Sequence, residues 1–193
     1  MQFRFKIDTS QNLTSTHLNR GNFQLDNNGF MTAYFGNVLF LFTKCQRDSL
    51  ATIENFVDIG SGDGAVTYFM ARKFHRLRCL GIEIDERLHK LASSYKSREI
   101  SNLQYLHSSA LDWNFQQLLN SISVLFFFNS FGEKSLEIFL NQLDDFCLKN
   151  NLTVYFIYLN DVHRRLLEEK GFKAVYMNQR KQSVWQIGRG DKL

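Results

Sequence analysis

Phe56-Val57-Asp58-Ile59-Gly60-Ser61-Gly62-Asp63-Gly64 is the stretch that decides the fold of this 193-residue chain. Its first four residues form a short apolar run interrupted by one acid, which is typical of a buried strand. The glycines that follow allow a tight turn and let a ligand approach the backbone closely. Apolar residues at helical spacing come next, namely Val66, Phe69, Met70 and Phe74. The stretch therefore predicts a strand, a glycine-rich loop and a helix in succession.

A second acidic position follows the next predicted strand, at Gly81-Ile82-Glu83-Ile84-Asp85. An acid about 20 residues beyond a glycine loop can accept hydrogen bonds from ribose hydroxyls, so Glu83 predicts a nucleoside site. Asp58 and Asp63 lie beside the loop and would repel a pyrophosphate there. They favour a cationic, phosphate-free nucleoside over a dinucleotide. Asp63 also suits a helix N-cap, and the two roles can coexist.

The rest of the chain alternates between apolar runs and helical patterns. The pattern predicts strands at 79–84, 103–107, 123–128, 152–159, 172–177 and 183–187. Helical stripes separate most of them, and Asn160 or Asp161 is expected to cap the helix after the fifth strand. Such alternation predicts an α/β fold in which a doubly wound, mostly parallel sheet has helices on both faces. The final two strands predict an antiparallel hairpin.

Residues 1–50 differ from the remainder of the chain. They contain Asn- and Gly-rich turns such as 27–29 and an apolar patch at 38–42. The segment is too short and broken to hold a core of its own. We expect an N-terminal extension, residues 1–50, that packs on or caps a ligand-binding domain of residues 51–193.

Composition excludes several classes of function. Three widely spaced cysteines and no C-x-x-C pair indicate reduced core thiols, without a disulfide framework or a metal site. No apolar run is long enough to cross a bilayer, and the N-terminus lacks the apolar stretch of a signal peptide. We therefore expect a cytoplasmic protein without a membrane partner. The net charge of +4 leaves nucleic acid open as a partner without favouring it.

Residues 57–64 closely resemble the first motif of the Rossmann-like (class I) S-adenosylmethionine (AdoMet)-dependent methyltransferases, and residues 81–85 resemble their second. The resemblance runs in strand and helix order from about residue 50 to the end of the chain. It implies AdoMet as cofactor and a seven-stranded sheet of order 3-2-1-4-5-7-6 with the last strand antiparallel. That arrangement agrees with the predicted terminal hairpin.

The same resemblance implies roles for individual residues. Glu83 would hold the ribose, and Ile84 would lie against the adenine. Ser109-Ala110 falls where the family often has an acid and a small residue that bind the adenine amine, with Asp112 as a substitute acid. The residues assigned to the cofactor are Asp58, Gly60, Ser61, Gly62, Asp63, Glu83, Ile84, Ser109, Ala110 and Asn129.

Asn129-Ser130-Phe131 ends the fourth predicted strand and resembles the fourth motif of amine methyltransferases. In those enzymes an Asn or Asp holds a planar amino group and an aromatic ring stacks on it, so Asn129 and Phe131 are the candidate catalytic residues. Ser130 replaces the family's proline, which predicts a less rigid loop. Candidate general bases elsewhere are few: Tyr34, Tyr158, Asp161 and His163.

Three functions remain open from the sequence. The leading hypothesis is an AdoMet-dependent methyltransferase that modifies a nitrogen or oxygen of a protein side chain or small molecule. The basic charge and Asn129-Ser130-Phe131 keep a nucleic-acid methyltransferase as the first alternative. The few candidate bases and the missing proline keep a non-catalytic module of the same fold as the second. A dehydrogenase is disfavoured by the two acids beside the glycine loop.

Overall fold

The computed structural model describes residues 33–95 and 100–188, and the elements below lie within these ranges. The strands are β1 Ile53–Ile59, β2 Arg78–Glu83, β3 Leu103–His107, β4 Ile122–Phe128, β5 Thr153–Leu159, β6 Lys173–Met177 and β7 Gln182–Gly188. The α-helices are α1 Phe35–Asp48, α2 Ala65–Lys73, α3 Glu86–Ser94, α4 Glu133–Asn150 and α5 Arg164–Glu169. Two single-turn 3₁₀ helices, Ala110–Asp112 and Gln116–Leu118, lie between β3 and β4.

The seven strands form one sheet in the order β3-β2-β1-β4-β5-β7-β6. Strands β1 to β5 pair in parallel, and β7 is antiparallel to both β5 and β6. This confirms the predicted fold class and strand order. The carboxyl ends of β1 to β5 therefore share one edge of the sheet, called the carboxyl edge below. The turn between β6 and β7 reaches the same edge, because Gln182 pairs with Leu159 at the end of β5.

Both faces of the sheet are covered, and β4 shows why. Its residues from Ser123 to Phe127 are all buried, as expected when a strand meets a helical layer on each side. Phe127 belongs to a core cluster that includes the apolar face of α4, whereas Phe126 belongs to a second cluster with α1 and α2. Alternate residues of one strand thus supply both cores.

Helix α1 is the part of the predicted N-terminal extension that the structure describes. Its apolar side is buried against the sheet, and the Phe35 ring stacks on Phe69 of α2 at 4.5 Å between centroids. At its other end the Tyr155 hydroxyl of β5 donates to Asp48 at 3.0 Å. Residues 1–32 of the extension lie outside the described residues. The division at residue 50 therefore stays a prediction.

The expected cap of the fifth helix is wrong. Helix α5 begins at Arg164 with His163 at its N-cap position, which is three residues after Asn160 and two after Asp161. The Asp161 amide donates instead to the Lys181 carbonyl of the β6–β7 turn at 2.9 Å. Asn160 adopts a left-handed backbone with φ of 59°. Both residues are thus held by tertiary contacts at the carboxyl edge.

The three thiols lie where the composition predicts them. Cys45, Cys79 and Cys147 are free and buried, and burial raises the pKa of the Cys79 and Cys147 thiols to about 12. They are core thiols, as predicted. Among the residues described, no helix combines the length and apolar character needed to cross a membrane.

The glycine loop is packed against the end of β4 and hydrogen-bonded to it. Gly60 has a φ of 71°, and a Cβ at that position would lie 2.6 Å from both Cβ and Oγ of Ser130. The Ser130 hydroxyl donates to the Ile59 carbonyl just before the loop. Only a glycine permits both this left-handed backbone and this approach. The serine that replaces the family's proline therefore holds the two loops together.

We expect Gly60→Ala to cost more folding free energy than Gly171→Ala. Both glycines have a φ of 71°, but nothing lies within 4 Å of a Cβ at Gly171. Both alanines should cost about 1–2 kcal/mol for the left-handed backbone. Gly60→Ala should lose a further ~1–3 kcal/mol through overpacking against Ser130. Equal losses in denaturant unfolding would contradict the close packing of the two loops.

Candidate cofactor and acceptor site

A cleft opens at the carboxyl edge between the glycine loop and β4. The space between them is about 330 Å³ when the part open to solvent is included. It is lined by Ala33, Asp58, Gly60, Ser61, Gly62, Asp63, Ala65, Val66, Phe126 and Phe128. Five of the residues that the sequence assigned to the cofactor, those from Asp58 to Asp63, are therefore brought together here.

Asp58 is a buried carboxyl group on the inner wall of the cleft. It is only 3% exposed, and its Oδ2 accepts a hydrogen bond from the Thr67 hydroxyl at 2.8 Å. Burial raises the pKa of Asp58 to about 7, the Thr67 hydrogen bond partly opposes this rise, and the negative charges of Glu83 and Asp63 add to it. A positive charge in the cleft would favour the ionised form of Asp58.

Glu83 joins the tips of β1 and β2. Its Oε2 accepts from the Gly62 amide at 2.8 Å, and its Oε1 accepts from the Asp85 amide at 2.8 Å. The residue is 8% exposed. Each carboxylate oxygen can accept more than one hydrogen bond, so Glu83 can hold the loop and still accept from hydroxyl groups of a ligand.

Asp63 and Ser61 complete the loop. The Asp63 carboxylate accepts from the Ala65 amide at 3.1 Å, while Gly64 occupies the N-cap position of α2. The predicted N-cap role of Asp63 is therefore wrong, because Asp63 lies one residue before the N-cap and bonds to the first residue of the helix. Asp63 also lines the cleft, and its contact with the cofactor stays a prediction. The Ser61 hydroxyl is buried and has no hydrogen-bond partner in the described structure. A buried hydroxyl without a protein partner usually bonds to an ordered water molecule or to a ligand.

The residues predicted for the adenine lie beside the cleft, at the tips of β2 and β3. The Ile84 carbonyl is 3.1 Å from Nε2 of His107, and the Ser108 amide donates to the Glu83 carbonyl at 3.0 Å. Ser109 caps the following 3₁₀ helix by accepting from the Leu111 amide at 3.2 Å. Ala110 is buried in the core, and Asp112 is exposed. The adenine contacts stay predictions.

Asn129 occupies the tip of β4 in a left-handed conformation, with φ of 53°. Its side-chain oxygen accepts a hydrogen bond of 2.7 Å from the side-chain amide of Asn160 at the tip of β5. A proline at position 130 would push the preceding residue toward extended backbone, so the serine is compatible with this turn. The Asn129–Asn160 pair thus bridges the ends of two adjacent strands.

Phe131 lies in the core. It is 8% exposed, and its ring packs against Phe127 at 5.2 Å and Phe139 at 5.8 Å between centroids. The half-buried aromatic residue on the cleft wall is Phe128 instead. The role of Phe131 as a stacking surface for the acceptor stays a prediction, and Phe128 is the ring that already meets the cleft.

The four candidate bases are placed without an obvious proton acceptor among them. Asp161 is buried in an ion pair with Arg164 of 2.7 Å. Tyr158 is buried, and burial raises its pKa. His163 is half-buried at the start of α5, and Tyr34 is 75% exposed at the start of α1. The described residues favour catalysis by alignment over catalysis by one of these groups.

Sequence reasoning missed several residues of the site. The sequence did not assign four residues of the site or its surroundings, namely Thr67, Phe126, Phe128 and Asn160. The alternation of residues along β4 was a signal for two of them. Phe126 pairs directly with Asp58 in the sheet register, and Phe128 follows it on the same face. Asn160 became visible only from the turn that the tertiary contacts impose.

The chemistry of the cleft selects among nucleoside ligands. Asp58, Asp63 and Glu83 make no ion pair with a described Lys, Arg or His, so a pyrophosphate would meet uncompensated negative charge. AdoMet carries no phosphate and has cationic sulfonium and amino groups, so it fits these acids and the unpartnered Ser61 hydroxyl. Within the described ranges, no group of three or more His, Cys, Asp or Glu side chains is arranged to hold a metal ion.

Comparison with known sequences supports this assignment. A family described as "Putative methyltransferase" matches residues 53–129, from the start of β1 to the tip of β4. The match thus covers the glycine loop, Glu83 and Asn129. No curated protein matches the sequence significantly.

Solved structures share the fold. The ribosomal protein L11 methylase of Lactobacillus delbrueckii subsp. bulgaricus has a TM-score of 0.56 at 16% identity, with 82% of this chain and 80% of that chain covered. A SAM-dependent methyltransferase from Aquifex aeolicus has 0.54 at 14%, covering 76% and 89%. The N-terminal domain of human METTL16, solved in complex with SAH, has 0.56 at 10%, covering 86% and 76%. At these identities the likeness shows the fold alone.

The glycine loop with its acid at the end of β2, the strand order and the family match converge on one assignment. The chain therefore has the fold of the Rossmann-like (class I) AdoMet-dependent methyltransferases, and its residues 53–129 match a family described as "Putative methyltransferase".

Proposed function

We propose that this protein transfers the methyl group of AdoMet, bound in the cleft at the carboxyl edge, to a nitrogen or oxygen atom of a protein side chain or small molecule. The observation that carries this proposal is the cleft itself. Three buried carboxyl groups, Asp58, Asp63 and Glu83, surround a glycine loop without a described cationic partner. Such a site is complementary to a cationic nucleoside.

The residues would divide the cofactor between them. Asp58, Asp63 and Ser61 line the part of the cleft that suits the methionine end, and Gly60 and Gly62 leave room for it. Glu83 would accept hydrogen bonds from the ribose, because its oxygens keep further acceptor capacity beside the Gly62 and Asp85 amides. The tips of β2 and β3, with Ile84, Ser109 and Ala110, would meet the adenine.

When bound, AdoMet supplies an electrophilic methyl group whose bond to sulfur breaks as the bond to the acceptor forms. The protein's contribution is positioning, for which ~7–11 kcal/mol is available in favourable cases. Phe128 and the Asn129–Asn160 pair stand at the tips of β4 and β5, where an acceptor would approach the cleft. The hydrogen bond from Ser130 to Ile59 holds the tip of β4 next to the glycine loop. The tips of β4 and β5 are called the acceptor edge below.

The distribution of basic residues favours an acceptor other than nucleic acid. Arg72, Lys73 and Arg78 are exposed, but they lie at the end of α2 and the start of β2, at the edge of the sheet opposite the cleft. They cannot form one track with the acceptor edge. Arg164 is held by the buried Asp161.

One observation keeps nucleic acid as the second candidate. Arg180 and Lys181 are exposed in the β6–β7 turn, which reaches the carboxyl edge beside β5. Phosphate contacts made by these two residues would weaken steeply with salt. RNA or DNA retention that falls with salt, and that falls further in an Arg180→Ala/Lys181→Ala variant, would favour this candidate. Salt-independent behaviour would remove it.

Glu83→Ala should weaken AdoMet binding by at least about tenfold. The change removes charge-assisted hydrogen bonds to the ribose and the tie to the Gly62 amide, and such bonds contribute ~1.5–3 kcal/mol each. Isothermal titration calorimetry with AdoMet measures the effect. Glu54→Ala is the control, because Glu54 is exposed and pairs with Arg78 away from the cleft. Wild-type affinity in Glu83→Ala would contradict the proposed ribose contact.

Cell lysate incubated with the protein and methyl-labelled AdoMet should acquire label in protein or in small molecules. Protease digestion, nuclease digestion and size separation identify which class carries it, and Glu83→Ala should label far less. Label that disappears with nuclease would select the second candidate. A wild-type protein that binds AdoMet but labels nothing at any concentration would favour a non-catalytic module.

A further inference from the structure

The acids of the cleft are buried together without compensating charge. Asp58, Asp63 and Glu83 are 3%, 7% and 8% exposed, and they lie on β1, on the glycine loop and at the end of β2. Hydrogen bonds from Thr67, Ala65 and the amides of Gly62 and Asp85 stabilise them. Neutral donors do not cancel their charge, so each acid disfavours ionisation of the others.

The groups that face Asp58 from the surrounding elements are neutral or acidic. Thr67 of α2 donates a hydrogen bond to it, and the negative charges of Glu83 and Asp63 raise its pKa. The charge of Asp58 in turn raises the pKa values of Cys79 in β2 and Tyr105 in β3. Phe126 of β4 is its apolar neighbour in the sheet.

The Cys79 thiol and the Tyr105 phenol are protonated at neutral pH, because burial raises the pKa of Cys79 to about 12 and also raises the pKa of Tyr105. His89 of α3 is the imidazole coupled to Glu83, and burial together with the nearby His107 lowers its pKa. The described residues around the acids therefore supply no permanent positive charge.

Ser61 gives an independent indication that a ligand completes this site. Ser61 lines the cleft and is 8% exposed, and no described atom bonds to its buried hydroxyl. A ligand with positive charge would compensate the acids, and a polar atom of the ligand or of an ordered water would satisfy Ser61. The sulfonium of AdoMet is the charge that methyl transfer removes, since the product S-adenosylhomocysteine (AdoHcy) carries one positive charge fewer.

We propose that Asp58 makes the cleft discriminate between AdoMet and AdoHcy by charge, so that AdoMet binds with release of a proton from Asp58 and AdoHcy is held less tightly once the sulfonium is lost. This inference rests on the binding of AdoMet in the cleft proposed above. It assigns Asp58 a part in product release in addition to lining the methionine end.

The direction of the pH dependence follows from the state of Asp58. Its pKa is raised by burial to about 7 in the free protein, so Asp58 is largely neutral below that pH and ionised above it. A cationic ligand favours the ionised form and lowers this pKa. AdoMet affinity should therefore rise as pH increases through about 7 and level off above it, whereas AdoHcy affinity should change less.

Titration calorimetry with AdoMet and with AdoHcy tests the proposal at about pH 6 and about pH 8. A preference for AdoMet should be about fivefold greater at pH 8 than at pH 6, corresponding to a ligand-induced fall of about one unit in the pKa of Asp58. Repeating the titration near pH 6 in buffers of different ionisation enthalpy should show net proton release with AdoMet and less with AdoHcy.

Asp58→Asn should remove the pH dependence and most of the preference while retaining AdoHcy binding. Thr67→Val provides a second variant that does not alter the acid. Loss of the hydroxyl donor should move the midpoint of the AdoMet profile to higher pH, and Thr67→Ser should leave it in place. If Asp58→Asn does not fold, the comparison of Thr67→Val with Thr67→Ser tests the proposal instead.

The outcomes separate this inference from the proposed function. If wild-type protein binds both ligands with the same preference at both pH values and releases no proton, the inference is overturned and the cofactor assignment stands. An unchanged profile in Asp58→Asn or in Thr67→Val would overturn it equally. If neither ligand binds the wild-type protein, the proposed cofactor site fails, and the inference fails with it.

Discussion

The hydrogen bonds of the Glu83 carboxylate are the interaction on which the site depends. One oxygen holds the Gly62 amide of the glycine loop, and the other holds the Asp85 amide beyond β2. The tips of two adjacent parallel strands are thereby tied through one buried acid. The tie fixes the loop that lines the cleft. Under the proposed function, the same carboxylate would also accept hydrogen bonds from the ribose.

A second tie joins the glycine loop to the acceptor edge. The Ser130 hydroxyl donates to the Ile59 carbonyl. The Ser130 side chain lies so close to Gly60 that a Cβ at position 60 would overlap it. Asn129 follows a left-handed turn and is bridged to Asn160. This edge keeps the Asn and the aromatic residue of an amine-methyltransferase motif in sequence, but it replaces the rigidity of proline with hydrogen bonds and turns the Phe131 ring into the core.

The burial of acids without cations gives the cleft its chemical character. Isolated buried carboxylates are unfavourable unless hydrogen-bonded or paired, and here hydrogen bonds supply only part of the compensation. A cationic ligand supplies the remainder. Under the proposal made above, this incomplete compensation couples AdoMet binding to the protonation of Asp58 and favours the charged form of the ligand.

The order of strands and helices, the glycine loop and the acid at position 83 could be predicted from the sequence, because each is encoded by local periodicity and spacing. The apolar run of β4 and the stripe of α4 likewise specify burial directly. Other features depend on residues far apart in the chain. Phe131 turns inward because Phe127 and Phe139 surround it, helix α5 starts late because Asp161 bonds to Lys181, and Asn160 meets Asn129 only where two strands end side by side. Local sequence thus determined the glycine loop and the acid at the end of β2, whereas packing between strand tips, which no single segment encodes, decided the arrangement of residues at the ends of β4 and β5.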